Sequence, residues 1–130
     1  MSTSQAETTA SAQYLPDGCT TVFEAFVQAS TRWPDAPFLA LTDMHGRRSD
    51  ELRYGTALQQ VRHWAALLRD AGYGHGDRIA VSVGNCPAHF VLHLALNAIG
   101  ASAVPLNPDM GVAELAYVLG HSEACLVIAD

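Results

Sequence analysis

A short apolar run, Ile79-Ala-Val-Ser-Val83, leads through Gly84-Asn85-Cys86-Pro87 into an almost wholly apolar stretch, Ala88–Ile99. After Gly100 a second short run follows, Ala101–Val104. This is the most constraining feature of the chain. Short apolar runs between glycine and proline read as strands, and the longer one reads as a helix. A strand, a helix and a strand in succession make a parallel pair with a right-handed crossover. The alternation extends in both directions. Thr56–Ala71 carries Leu58, Val61, Trp64 or Ala65, Leu68 and Ala71 at helical spacing, with Gly72 as its C-cap. Val112–Leu119 reads as another helix and Cys125–Ala129 as a last strand. From Thr56 onward helix and strand alternate. This predicts an α/β fold: a three-layer arrangement with a mostly parallel sheet and flanking helices.

The region before Thr56 is more local in character. Met1–Gln13 is rich in Ser, Thr, Ala and Gln and predicts a disordered tail, leaving 14–130 as one domain. Thr21-Val22-Phe23-Glu24 fits a capping box, in which hydroxyl and carboxylate satisfy free amides reciprocally. The helix it opens places Val22, Phe23, Phe26, Val27 and Ser30 on one side and ends near Trp33, before Pro34. Phe38–Thr42 is a strand, Asp43–Gly46 a turn, and Arg47–Tyr54 a returning strand.

Composition excludes several function classes. Hydrophobic residues are 49% of the 130, enough for a core. The net charge is −6 and no basic run exists, so binding nucleic acid through phosphate contacts is not expected. Three cysteines, Cys19, Cys86 and Cys125, fit neither a disulfide framework nor a zinc motif. No stretch suits a membrane span, because Phe90–Ile99 is short and interrupted by His93 and Asn97. No secretory signal is legible, and the cytoplasm is the expected compartment.

Several residues suggest chemistry and each has a plainer reading. Gly72-Tyr-Gly74-His-Gly76 resembles a phosphate loop, but phosphate loops run from strand to helix and this one runs from helix to strand. A turn is expected. Val83–Pro87 runs in the right direction, but its single glycine makes a poor cradle. Cys86 at a helix N-terminus could be a nucleophile with His89 as base; a Ser-like cap residue is the simpler role. His89 and His93 share a helical face, yet zinc needs three or four ligands. With Asn97 they read as a polar seam facing solvent or a further part of the protein. Asp77 and Arg78 are expected as a local ion pair, and Trp33 and Trp64 as core.

Four segments occur together, in order: Leu52-Arg53-Tyr54-Gly55-Thr56-Ala57; Gly72 to Val81, ending Gly-Asp-Arg-Ile-Ala-Val; Asn85-Cys86-Pro87; and Gly100-Ala101 through Val104-Pro105-Leu106-Asn107-Pro108, followed by Glu114-Leu115-Ala116-Tyr117. As a set these resemble the N-terminal part of the adenylate-forming (AMP-binding) synthetases. Val-Pro-Leu-Asn-Pro is more similar to the acyl-CoA ligases than to peptide-synthetase adenylation domains. Asn85-Cys86-Pro87 and Ser122-Glu-Ala-Cys125-Leu are similar to the carnitine/crotonobetaine-CoA ligase type. The family has Thr and Glu where this chain has Arg53 and Thr56, so a capping box is lost. Thr56 could cap a helix starting one turn later.

The resemblance implies joining a carboxylic acid to ATP, then passing the acyl group to a thiol, commonly that of CoA. ATP, Mg²⁺ and CoA are the implied cofactors of the full enzyme, and the remainder of the ligase is the implied partner, in cis or as a separate chain. In the family a Ser/Thr/Gly-rich loop ending in Lys holds the phosphates, and a second Lys orients the adenylating step. This chain contains neither that loop nor any lysine. No residue in it is assigned to catalysis, cofactor binding or a metal, and the 130 residues are expected to be inert alone. The other reading is a stand-alone α/β module that binds a nucleotide or a partner.

Overall fold

The computed structural model describes residues 16–130, so the expectation for Met1–Gln13 lies outside the described residues. Helix α1 spans Val22–Arg32 and opens on the expected box. Thr21 Oγ1 accepts the Glu24 N–H at 3.1 Å, and the Glu24 carboxylate accepts the Thr21 N–H at 3.1 Å. The helix buries Phe26 and Ser30 and stops at Trp33. Val22, expected on the inner side, is exposed.

Strands β1 (Pro37–Thr42) and β2 (Arg48–Arg53) form an antiparallel hairpin. Its turn is held by Asp43, whose carboxylate accepts the N–H groups of His45 and Arg47, each at 2.9 Å. The hairpin is a separate two-stranded sheet. Phe38 of β1 ties it to α1 and to α2 (Tyr54–Asp70), since the Phe38 ring lies 5.0 Å from Phe26 and 4.9 Å from Tyr54.

Helix α2 begins two residues before the expected start, and this changes how its first turn is satisfied. Thr56 lies inside the first turn and does not cap it. Arg53 is the N-cap residue and makes no side-chain cap bond. Backbone carbonyls of the preceding bend take over: Tyr54 N–H donates to Ala36 O at 3.1 Å and Gly55 N–H to Pro34 O at 2.9 Å. Gly55 permits this approach, because a Cβ there would lie 3.2 Å from that same oxygen. A lost cap costs about 0.5–2 kcal/mol, and here two main-chain acceptors offset it. The inner face is Ala57, Leu58, Val61, Ala65 and Leu68. Trp64 and Trp33 are not core. Each sits on the outer side of its helix, Trp33 52% exposed beneath the Arg32 guanidinium and Trp64 36% exposed.

The second sheet is parallel. Strands β3 (Arg78–Ser82), β4 (Ser102–Pro105) and β5 (Leu126–Ala129) lie in the order β4-β3-β5. Ile79 pairs with Ala103 on one side and Leu126 on the other. Helix α3 (Pro87–Ile99) joins β3 to β4, and α4 (Val112–Ser122) joins β4 to β5. The first crossover moves one way across the sheet and the second moves back past β3. Right-handed connections therefore require α3 and α4 on opposite faces. Ile79 and Val81 belong to the core with Val91, Leu92, Ala95 and Leu96 of α3 and the inner residues of α2. Helix α3 ends at Gly100 in the left-handed region, φ 76°, where a Cβ would come within 2.9 Å of His75 Nδ1. The other side is thinner: α4 has no buried residue.

Asp77 and Arg78 do not pair. The Asp77 carboxylate accepts the Gly74 N–H at 2.8 Å and closes the glycine turn. Arg78 reaches across to Glu123 at 3.2 Å. Exposed pairs of this kind contribute about 0–1 kcal/mol. The strand's register rests instead on main-chain bonds such as Cys125 N–H to Arg78 O at 2.9 Å.

Candidate functional site

In open α/β sheets, ligands bind beyond the carboxyl ends of the strands where strand order reverses. Here the reversal lies between β3 and β5. Three segments converge at that end: the loop from Val83 to Cys86, the loop after β4, and Asp130. Asp130 Oδ2 accepts the Gly84 N–H at 3.4 Å, bridging the two strands on either side of the reversal. On the far side of β3, the Leu106 N–H donates to Val81 O at 2.8 Å and holds the β4 loop against the sheet. Sequence reading singled out Gly84 and Cys86 but not Asp130. Only the strand order brings Asp130 to the site, and nothing local to it in the sequence signals that.

Cys86 is the N-cap residue of α3, with extended backbone (φ −142°, ψ 168°), as its Ser-like position implies. Its thiol makes no cap hydrogen bond. It is half-buried, beside a cavity of about 300 Å³ lined by Leu41, Thr42, Asn85, Pro87 and Phe90. The loop 72–76 is a turn, with Gly72 and Gly76 both at positive φ (95° and 86°). Phosphates need convergent cations or a nest of amides. The only arginine on the parallel sheet, Arg78, sits at the amino end of β3, opposite the crevice. Among the described residues the crevice offers a carboxylate, a thiol and two loops without a basic residue, and this set does not fit a triphosphate with its metal.

The His89–His93–Asn97 stripe does not face solvent throughout. The two imidazoles lie 4.3 Å apart. Among the described residues no third His, Cys, Asp or Glu joins them. Asn97 turns toward α1, where its Oδ1 accepts the Phe23 N–H at 2.9 Å. His93 Nε2 is buried without a hydrogen-bond partner. Burial, and then the neighbouring His89, hold the His93 imidazole below the usual histidine pKa. The ring borders an apolar groove of about 550 Å³ between α1, β1 and α3, walled by Phe26, Phe38, Tyr54 and Phe90.

No helix of the described residues is long and apolar enough to cross a membrane. The sequence model of the family described as "AMP-binding enzyme" matches residues 26–130. The chain is 34% identical over 72 residues to the crotonobetaine/carnitine–CoA ligase of Escherichia coli, a match covering 55% of this chain and 14% of that protein. It is 39% identical over 79 residues to a protein named chalcone synthase cfoA from Aspergillus candidus, covering 61% of this chain and 3% of that one. Among solved structures, the N-terminal subdomain of NpsA from Klebsiella oxytoca superposes with a TM-score of 0.76 at 28% identity, covering 86% of this chain and 28% of the other. The chain thus spans only a small part of the proteins it resembles. Family match, relatives and superposition agree: the chain belongs to the AMP-binding enzyme family and corresponds to the N-terminal part of an adenylate-forming enzyme.

Proposed function

We propose that this chain is the N-terminal part of an ATP-dependent acyl-CoA ligase. The reaction class is adenylation of a carboxylic acid followed by transfer of the acyl group to the thiol of CoA. The similarity to a crotonobetaine/carnitine–CoA ligase supports the thioester-forming branch. The Val104-Pro105-Leu106-Asn107-Pro108 loop, similar to that of acyl-CoA ligases, also supports it, and in the structure that loop lies at the carboxyl end of the sheet. ATP, Mg²⁺ and CoA would be held by other parts of the enzyme, with the carboxylic acid bound between them.

The single observation that carries the second half of the proposal is compositional: all seven basic residues are arginine and none is lysine. Positioned cations around the phosphates supply most of the stabilisation in such reactions, and the crevice has none. The 130-residue chain is therefore inert by itself and contributes scaffold. The stand-alone module is disfavoured by α4, none of whose residues is fully buried, and by the outer edges of β4 and β5, which are open among the described residues. The test is ATP–pyrophosphate exchange by the purified chain over a panel of carboxylic acids. No exchange above a buffer blank is expected; exchange that depends on one acid would refute the claim of inertness.

A further inference from the structure

A cleft of about 730 Å³ lies between α1 and α2, within the range of about 300–1,000 Å³ that small-molecule sites occupy. Phe23 and Val27 of α1 and Ala65 of α2 give it an apolar surface. Arg62 and Arg69 of α2 line it as well.

These two arginines differ from most others in the chain. Arg47, Arg53 and Arg78 each pair with a carboxylate, and Arg32 stacks on Trp33. Arg48, Arg62 and Arg69 have no such partner among the described residues. Two of these three meet at one cleft, in a chain whose net charge is −6. The one acid lining the cleft is Glu24, and its carboxylate is taken up by the start of α1. It accepts hydrogen bonds from Thr20 Oγ1 at 2.9 Å and from the Thr21 N–H at 3.1 Å. Positive charge is therefore in surplus beside apolar surface.

The spacing suits a single headgroup. Arg62 and Arg69 are two helical turns apart, about 10 Å along the axis. Ala65 lies between them on the same stripe, and its small side chain leaves room for both guanidinium groups to lean inward. Guanidinium forks hold carboxylate and phosphate oxygens through paired N–H donors. We propose that this cleft binds an amphipathic organic anion, its carboxylate or phosphate headgroup held by Arg62 and Arg69 and its apolar body laid on Phe23, Val27 and Ala65. Such a site goes beyond the ligase reading, since it needs only α1 and α2.

Cys19 lines the same cleft and serves as a reporter, with the exposed Cys125 as its control. In the test, the 130-residue chain reacts with a maleimide beside decanoate, decyl phosphate or decanol, each below its micelle-forming concentration. Mass spectrometry follows the rate at each cysteine. An anion at ten times its Kd slows Cys19 by about tenfold and leaves Cys125 unchanged. The tighter of the two anions identifies the headgroup. Arg62→Gln and Arg69→Gln each weaken binding about fivefold or more, because each removes a charge-assisted pair. Added salt weakens binding to the parent chain. The salt series and the decanol comparison need no variant, so they stand even if a substitution disturbs the fold. Equal protection by decanol, protection indifferent to salt and to both substitutions, or no effect of either anion on Cys19 overturns the proposal. So does equal slowing at Cys125, which marks a general effect of amphiphile on the chain.

Discussion

Asn97 Oδ1 accepts the backbone N–H of Phe23 at 2.9 Å, so one helix supplies an N-terminal acceptor to another. Phe23 lies in the first turn of α1, among amides with no intrahelical partner. Thr21 satisfies the Glu24 amide, and Asn97 satisfies the one before it. The bond fixes where α1 sits along α3. Asn97→Leu is expected to lower stability by about 1 kcal/mol, the net worth of one such hydrogen bond, whereas Asn97→Asp keeps an acceptor and loses less. Urea denaturation of the two variants checks this. Equal midpoints for Asn97→Leu and the parent chain would show that water replaces the bond without cost.

His93 gives the fold a pH dependence with a definite sign. Its pKa is lowered in the folded state, chiefly by burial and secondarily by His89. Between that lowered value and the ordinary one of about 6.5, the unfolded chain binds more protons, so stability rises with pH. The contribution is full above about 6.5 and is lost as pH falls toward the folded value. The other titratable groups near the ring are His89 on the same helix and Tyr54 across the groove. Glu24 and Asp43 act lower down. Backbone amides of Thr20 and Arg47 depress their pKa values, so their contributions fade only in the acid range below about 4. Denaturation midpoints should fall between pH 7.5 and 5.5 and fall less in His93→Phe. An unchanged slope in that variant assigns the effect elsewhere.

Cys86 occupies an N-cap geometry without making the cap bond. Cys86→Ser supplies a hydroxyl that can accept an amide of the first turn, and is expected to raise stability by about 0.5–1 kcal/mol. Thermal melts measure the gain. A loss would mean that the thiol's packing against the core outweighs the cap.

Much of this architecture is legible in the sequence because its signals are local. The Thr21–Glu24 box, the apolar run Ile79–Val83 and Gly100 each act within a few residues, and each lies where its pattern implies. The features that were misread depend on partners distant in sequence. The start of α2 is set by Pro34 and Ala36, which no periodicity within the helix can reveal. Arg78 prefers Glu123 over its neighbour Asp77 because the strand alternates sides and β5 brings the acid within reach. Trp33 and Trp64, expected as core, stay outside it, and their small or slender neighbours Ser30, Val61 and Ala65 hold the inward positions. The candidate crevice was half visible: Gly84 and Cys86 stand out in the sequence, and Asp130 joins them only through strand order.

That strand order also sets a schedule for synthesis. Among the described residues β3 is the only strand of the parallel sheet with partners on both edges, and Ile79 meets Leu126 only after α3, β4 and α4 have been made. Until β5 emerges from the ribosome, one edge of the most buried strand, with Ile79, Ala80 and Val81 fully enclosed in the finished fold, has no main-chain partner. Pairings over such a separation form late, and unpaired strand edges are sticky. A nascent chain of this kind is therefore a natural client for chaperones that shield strands, and a pause in translation before Leu126 would prolong its exposure.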